Sequence, residues 1–404
     1  MKTRHINTFK LKAGIFVLFI FMVCISCNNP RKQKWHEDID YFSAMLYEKH
    51  IDFEKIVNKK EFSRDLGKLK RKVHRLMDYE IVLELQAILA KLHIAHTNVT
   101  INYWGITHFP IYTEIFDDGL FIVGICPSRT TYLRQRIVGI NDIPIDEVYE
   151  KLSTLVSYEN EYWLKAEIPF HINSPEILSF CGIVNYENDI IYNLEDGRKK
   201  VFNAKKDYQD SQMIFAHELL NSTWLKNQYK NYWFKVLDDN TLYIQYNKCE
   251  EDPRYPFALF VEKIDSVFNS NPIEKLCFDL RLNTGGNSFL VDPLINRIKQ
   301  QQGLTIYTLI SRRTYSSGTM AALDLKDEFN ALLIGEPTGG SPKSYGDIRT
   351  FSLPNSGVKV HYCVQYFSLL ETDDPFIAPD IYIDYLSEEY FKGRDPVLEY
   401  VLNN

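Results

Sequence analysis

The sequence lacks the cysteine patterns that would point to disulfide or metal chemistry. Seven cysteines occur among its 404 residues, with no Cys-x-x-Cys pair and no cluster of cysteine with histidine. Five of them are widely spaced through the body of the chain: Cys126, Cys181, Cys249, Cys277 and Cys363. An odd, scattered set indicates neither a disulfide framework nor a zinc site. We therefore expect free thiols, no metal and no cofactor.

The sequence also lacks an excess of positive charge. Lysine and arginine number 46 against 53 acidic residues, so the formal net charge is -7. Without a basic footprint, nucleic acid is not an expected partner. A hydrophobic content of 45% with 25% charged residues is typical of a globular protein, and 404 residues exceed one ordinary core. Two or three domains are expected.

An apolar run near the N-terminus, Ala13 to Ile25, is shorter than the roughly 20 residues that a spanning helix needs. Four basic residues precede it, as in a secretory signal, and Ser26-Cys27 follows it. A small residue before a cysteine resembles the lipobox of bacterial lipoproteins, which implies that Cys27 is lipidated. We therefore predict a lipoprotein signal at 1–27 and an exported protein anchored by lipid to the bacterial cell envelope. Cleavage near Ser26 and an uncleaved anchor are the alternatives.

Two patterned segments follow the signal. From residue 35 to about 92, apolar side chains recur at three- and four-residue spacing, which predicts a helical domain over 35–100. From 107 to 202 the pattern predicts strands at Leu120–Ile125 and around the Asn-Asp turn of 136–145, with a helix at 145–156. That hairpin and helix resemble the carboxylate-groove part of a PDZ domain. An ordinary β-rich insert is the alternative reading.

The rest of the chain, 203–404, has the pattern of a catalytic core. Strand, glycine loop, helix, strand, serine turn, helix, strand and glycine loop follow one another from Leu276 to Gly340. That order predicts a parallel sheet with its loops collected at one edge, where α/β proteins place their chemistry. A hairpin is predicted earlier at 232–246 and another at 351–362.

Ser316 is the candidate nucleophile at that edge. Tyr315-Ser316-Ser317-Gly318 follows a predicted strand and opens a predicted helix at 319–329, whose N-terminus offers free backbone N–H groups. Such a serine is most often only an N-cap. Gly285-Gly286 favours a catalytic role for Ser316, because two glycines after a buried strand allow the backbone to approach closely and to aim N–H groups. Acyl transfer is the chemistry this pair of loops suggests.

These motifs resemble the tail-specific (C-terminal-processing) protease family. The residues that carry the resemblance are Asp279-Leu280-Arg281-x-Asn283-x-Gly285-Gly286, the serine turn and Gly335-Glu336-Pro337-Thr338-Gly339-Gly340. The resemblance implies an α/β, multi-domain α+β fold with a helical segment, a PDZ-like domain and a crotonase-like core. It also implies Ser316 as nucleophile, with an oxyanion hole formed by N–H groups of Ser317 and of Gly285 or Gly286.

The base is where the chain departs from the family. The classical branch uses a lysine two residues past Gly339, but Ser341 stands there and Lys343 is displaced by two. The tricorn-core-like branch takes a histidine from a "D-x-H-T" segment. Here that segment reads Ile94-Ala95-His96-Thr97, so His96 is the predicted base, and Ile94 replaces the aspartate.

The third catalytic member is predicted to be a carboxylate that orients the histidine. Glu371 precedes the C-terminal Pro-Asp pair, where the tricorn-like pattern places a glutamate, and Asp373 and Asp374 are the alternatives. The resulting hypothesis is a membrane-tethered serine endopeptidase acting on peptides or protein tails. A catalytically inactive peptide-binding lipoprotein of the same fold is the alternative. No nucleotide signal supports an enoyl-hydratase-like enzyme, and the sequence indicates no oligomeric state.

Overall fold

The computed structural model describes residues 30–101, 104–185, 189–203, 212–238 and 240–404. The predicted signal segment 1–27, with Cys27, lies outside the described residues. Over those ranges the chain is mixed α/β, with three sheets and helices distributed among them. Within them no helix is both long enough and apolar enough to cross a bilayer.

The N-terminal unit consists of helices whose apolar faces meet in one cluster. They are α1 (Pro30–Lys49), α2 (Phe53–Ile56), α3 (Lys59–Lys72) and α4 (Asp78–Ala90). Phe42, Leu69 and Leu89 are fully buried at their contact, in keeping with the three- and four-residue spacing of the sequence. A short strand, β1 (Asn98–Val99), follows the loop that carries His96.

The second unit is a β-rich fold closed by short helices. Its strands are β2 (Ile111–Phe116), β3 (Gly119–Ile125), β4 (Arg136–Ile140), β5 (Ile143–Pro144), β6 (Ile190–Leu194), β7 (Lys199–Phe202) and β8 (Ile214–Phe215). Its helices are α5 (Ile145–Ser153), α6 (Glu161–Glu167) and α7 (Pro175–Phe180). Sheet order is β2-β3-β4-β6-β7, with β5 paired to β4 and β8 to β3. The helix predicted to reach residue 156 ends three residues earlier.

The third unit is built on a six-stranded sheet. Its strands are β9 (Tyr232–Val236), β10 (Thr241–Tyr246), β11 (Lys275–Asp279), β12 (Thr305–Ile310), β13 (Leu332–Gly335) and β16 (Ile381–Tyr382). The order is β16-β13-β12-β11-β10-β9, parallel except for β9 at one edge. The carboxyl ends of the central strands therefore meet at one edge, as the sequence predicts.

Helices cover both faces of this sheet. They are α8 (Phe257–Ser270), α9 (Asp292–Ile298), α10 (Ser317–Phe329), α11 (Ser387–Lys392) and α12 (Pro396–Asn403). α8, α9 and α10 bury one face, and Leu398 and Val401 of α12 pack on the other. Strands buried on both faces read as continuous apolar runs, which explains why they are legible in the sequence.

A long two-stranded ribbon links the third unit to the first. Its strands are β14 (Lys343–Ser352) and β15 (Lys359–Ser368), and β15 also pairs with β1. Apolar side chains of the ribbon, among them Val358 and Val360, join the core of the N-terminal helices. The sequence predicts only its central part, 351–362, because the outer pairs are largely exposed and lack a clear alternation.

Candidate active site

Ser316 lies at the carboxyl end of β12 and caps the N-terminus of α10. Its backbone has φ 53° and ψ -124°, a conformation that residues other than glycine rarely adopt and that costs on the order of 1–3 kcal/mol. Bonds on both sides hold the turn, since Tyr315 N–H donates to Asn283 O at 2.9 Å and Gly340 N–H donates to Thr314 O at 3.0 Å. A strained, half-buried serine between a strand and a helix is a geometry suited to a nucleophile.

Glycines are required around this turn because its neighbours approach without room for a side chain. A Cβ on Gly285 would lie 2.7 Å from Ser316 Cβ, and one on Gly318 would lie 2.5 Å from Asn283 O. A Cβ on Gly340 would lie 2.0 Å from Thr319 Oγ1. The double-glycine loop, the serine turn and the glycine loop after β13 therefore pack directly on one another.

The predicted base, His96, lies beside Ser316. Its Nε2 lies 3.1 Å from Ser316 Oγ, although the two residues are 220 positions apart in the chain. The imidazole is only 7% exposed, and burial lowers the pKa of His96 to about 4. The ring is therefore neutral at neutral pH and able to accept the hydroxyl proton.

The other ring nitrogen of His96 contacts a tyrosine. Tyr315 Oη lies 2.8 Å from His96 Nδ1, and the two rings are 4.7 Å apart. Trp163, on α6 of the β-rich unit, stacks on the far face of Tyr315 with ring centroids 3.9 Å apart. Burial holds the pKa of Tyr315 well above its usual range, so the hydroxyl keeps its proton.

A buried glutamate follows the tyrosine. Glu159 Oε1 accepts the backbone N–H of Ala95 at 3.0 Å, and its carboxyl interacts with the Tyr315 hydroxyl. Burial raises the pKa of Glu159 to about 7, against the lowering effect of these hydrogen bonds. Ser316, His96, Tyr315 and Glu159 thus form a chain of contacts that starts at the nucleophile.

The structure does not bring the predicted carboxylates to His96. Glu371 is exposed to solvent, and Thr372 Oγ1 donates to Asp374 at 3.1 Å. Lys343, the alternative base, lies 3.7 Å from Asp373 at the surface. Within the described residues, none of these four ionisable side chains forms a hydrogen bond or ion pair with His96 or Ser316.

The predicted oxyanion donors divide into two kinds. The N–H of Gly285 already donates to Asn283 Oδ1 at 2.9 Å. In the part of the chain that the structure describes, no protein acceptor takes the N–H of Gly286 or of Ser317. A Cβ on Gly285 would lie 3.1 Å from Ser316 Oγ and 3.0 Å from Ser317 N, so the Ser316 hydroxyl and the free N–H of Ser317 both adjoin this glycine.

A buried ion-pair network supports the double-glycine loop from below. Arg281 pairs with Asp279 at 2.6 Å and with Asp395, at the start of α12, at 2.8 Å. All three side chains are less than a tenth exposed. Arg281 thus pairs both with Asp279 on its own strand end and with Asp395, which completes the network.

Sequence reasoning missed Tyr315 and Glu159 as parts of the site. Tyr315 adjoins the nucleophile, but an aromatic residue beside a serine carries no catalytic pattern. Glu159 lies in the β-rich unit, far in sequence from both His96 and Ser316, and follows no recognisable motif. Its neighbour Asn160 gives the one available signal, since it caps α6 and also donates to Gly339 O at 2.9 Å.

The geometry can be compared with known proteins. No family model matches the chain, and no curated protein matches it. Among solved structures, mature CPAF complexed with lactacystin matches with a TM-score of 0.64 and 12% identity, over 93% of this chain and 98% of CPAF.

Two further solved structures match more loosely. The photosystem II D1 C-terminal processing protease has a TM-score of 0.42 and 13% identity, over 92% of this chain and 99% of its own. Tricorn protease has a TM-score of 0.44 and 12% identity, over 92% of this chain and 36% of its own. The chain therefore has the fold of mature CPAF.

Proposed function

We propose that the chain is a serine endopeptidase that cleaves peptides or unfolded protein tails through an acyl-enzyme. The observation that carries the proposal is the 3.1 Å contact of His96 Nε2 with Ser316 Oγ, beside two backbone N–H groups that have no described acceptor. A nucleophile, a neutral base and preorganised donors next to one another are the parts that acyl transfer requires.

The reaction proceeds by proton transfer through one imidazole. His96 takes the proton of Ser316 as Oγ attacks the scissile carbonyl carbon. The N–H groups of Gly286 and Ser317 hold the oxyanion, and such a donor lowers the barrier by roughly 3–4 kcal/mol in known cases. The imidazolium then gives its proton to the leaving amine, and a water activated by the same ring hydrolyses the acyl-enzyme.

The β-rich unit is the proposed substrate-recognition part. As a PDZ-like unit it would capture a C-terminal carboxylate or an extended strand. Its helix α6 contributes Trp163 to the active site, and a cavity of about 540 Å³ lies between this unit and the N-terminal helices, lined among others by Ala95, Tyr112 and Trp163. The proposed recognition unit therefore adjoins the proposed catalytic residues.

The proposed location is the cell envelope, with Cys27 carrying the lipid. This part rests on the sequence around Ser26-Cys27. We expect the wild-type protein to take up a radiolabelled fatty acid and to sediment with membranes, and Cys27→Ser to do neither. Cleaved, unlabelled protein in the soluble fraction of wild-type cells would show ordinary signal-peptidase processing instead.

A fluorophosphonate probe tests the enzymatic part. We expect labelling of the wild-type protein, none of Ser316→Ala and normal labelling of Ser266→Ala, whose serine lies on the exposed face of α8. Lactacystin, found in complex with mature CPAF, should compete if it enters the same space. A folded wild-type protein that neither labels nor cleaves, even with peptide present, would favour the inactive peptide-binding alternative.

A further inference from the structure

The contact between His96 and Tyr315 leaves one chemical question open. A neutral imidazole carries its proton on Nδ1 or on Nε2, and only the Nδ1–H tautomer presents a lone pair from Nε2 to the Ser316 hydroxyl. A tyrosine hydroxyl can either donate or accept. The 2.8 Å contact between Tyr315 Oη and His96 Nδ1 is therefore compatible with both tautomers, and the other groups around the ring, which include the backbone of Tyr345, select one.

Glu159 is placed to make that selection. Its Oε1 is occupied by the N–H of Ala95, the residue before His96. Its Oε2 is buried and makes no hydrogen bond of regular geometry in the described ranges, and the Tyr315 hydroxyl interacts with the carboxyl. An ionised carboxylate only accepts hydrogen bonds. The Tyr315 proton therefore points to Glu159, and the Tyr315 lone pair faces His96.

We propose that Glu159, acting through the hydroxyl of Tyr315, holds His96 in the Nδ1–H tautomer that leaves Nε2 free to take the Ser316 proton. Both are positioning residues, because neither touches the substrate or the reacting atoms. This role deepens the proposed peptidase function and rests on it. The relay takes the place that a single carboxylate occupies in the Ser-His-Asp arrangement.

Proton positions balance along the relay. When Ser316 Oγ bonds to the carbonyl carbon, its proton moves to His96 Nε2 and the carbonyl oxygen gains the negative charge. His96 then carries both ring protons, donating Nδ1–H to Tyr315 Oη, while Tyr315 keeps its own proton and donates it to Glu159. No proton passes beyond His96, and the carboxylate stabilises the imidazolium through the polarised hydroxyl.

The surroundings make the carboxylate responsive to pH. Tyr315 and backbone N–H groups stabilise its charge, and among the described residues no cation does so. The thiol of Cys363 faces it, and Glu167 acts on Tyr315 from α6. Burial raises the pKa of Glu159 to about 7. Below that pH Glu159 gains a proton and can donate to Tyr315, which reverses the hydrogen bonds and favours the unproductive tautomer.

Glu159→Gln tests the relay sharply. The N–H of Ala95 keeps the amide oxygen at the Oε1 position, so the amide nitrogen faces Tyr315 and donates to it. Tyr315 must then donate to His96 Nδ1, which drives the ring to the Nε2–H form. We expect fluorophosphonate labelling to fall by at least about 10²-fold, toward the roughly 10⁴-fold loss that a wrong tautomer causes in a Ser-His-Asp triad. Tyr315→Phe removes the link and should also lower the rate.

Nitrogen-15 NMR of the imidazole gives a readout independent of activity. At pH 8 we expect the proton of His96 on Nδ1 in the wild type and on Nε2 in Glu159→Gln. The wild-type labelling rate should rise with pH through about 7, the pKa of Glu159, and this step should be missing from the variant. Glu161→Gln is the control on α6: its carboxyl is exposed and pairs with Lys165, so the His96 tautomer and the pH step should both stay as in the wild type.

The outcomes separate the relay from the proposed function. An unchanged His96 tautomer in Glu159→Gln overturns the relay, whatever happens to the rate. Wild-type labelling together with equal labelling of Glu159→Gln overturns the relay and leaves the peptidase standing. If Glu159→Gln shifts the His96 tautomer but the wild-type protein never labels, the relay is supported and the peptidase function is contradicted.

Discussion

The two sides of the proposed active site, the nucleophile side and the base side, differ in how their residues reach the site. The nucleophile side, 279–286 and 311–319, comes from two neighbouring strand ends of one sheet and is held by close backbone packing around glycines. The base side, His96 and Glu159, comes from two other units and is held by side-chain contacts. A local motif thus specifies one half, and tertiary packing specifies the other.

The comparison predicts that the base is the most sensitive element after the nucleophile itself. His96→Ala should lower kcat by roughly 10⁴-fold or more, because a catalytic unit loses most of its activity when one member is removed. Lys343→Ala should leave kcat nearly unchanged, since that lysine faces Asp373 at the surface. Both are measured on one cleaved peptide, and loss of turnover only in the lysine variant would assign the base to Lys343.

The ion pairs that support the nucleophile side should contribute to the free energy of unfolding. Arg281→Met leaves the carboxylates of Asp279 and Asp395 buried without a counter-ion, which typically costs about 3–5 kcal/mol of the free energy of unfolding. Arg349→Met removes an exposed pair with Asp347 and should cost less than about 1 kcal/mol. Urea unfolding measures both. Equal losses would mean that the buried network does not hold the loop.

The next largest effect is expected from a substitution at the proposed oxyanion hole. Gly286→Ala places a Cβ 2.3 Å from the carbonyl oxygen of Cys249, so the loop must shift and its N–H moves away from the nucleophile. We expect kcat to fall by about 10²–10³-fold, the effect of losing one such donor. Gly303→Ala is the control, because that glycine also has a positive φ but an open surround. Activity is normalised to the folded fraction, and equal kcat values would exclude Gly286.

The smallest expected effect concerns the charge on the base side. Glu159 has a pKa of about 7 in the folded protein against 4.5 as its ordinary value, so the folded state holds the proton more tightly. The free energy of unfolding therefore falls as pH rises from about 4.5 to about 7 and stays lower above that range. Glu159→Gln removes this penalty and should be more stable than the wild type at pH 8, by at most about 3 kcal/mol.

The pH dependence separates this effect from ordinary repacking. Urea unfolding should show a difference at pH 8 that shrinks at pH 5, because pH 5 lies near the ordinary pKa of 4.5 and most of the penalty accumulates above it. Glu161→Gln, an exposed position on α6, should show little difference at either pH. A stability change of equal size at pH 5 and pH 8 would contradict the charge penalty.

The main sheet could be predicted from the sequence because its strands are buried on both faces. The strand predicted before the serine turn is β12 (Thr305–Ile310), and the predicted hairpin at 232–246 contains β9 and β10. The ends of the helices near the site were predicted less accurately. α10 begins at Ser317, two residues before the predicted start, because Ser316 stands in a strained turn that local propensity does not encode.

Residues of the site could be predicted from the sequence only where they belong to a motif. Ser316 and His96 were named from motifs, and the structure places them within hydrogen-bonding distance; their catalytic roles stay predictions. The orienting group was sought near the C-terminus, at Glu371, because a triad leads one to expect a carboxylate there. Glu159 has no motif, and only the packing of α6 and its preceding loop against Tyr315 makes it visible.

The wide spacing of the base and the nucleophile has a consequence for biosynthesis. A ribosome releases the chain from its N-terminus, so His96 emerges 220 residues before Ser316, and β15, which pairs with β1, emerges later still. Until that pairing forms, the nascent chain does not hold His96 beside Ser316. The proposed catalytic pair is therefore completed only late in synthesis.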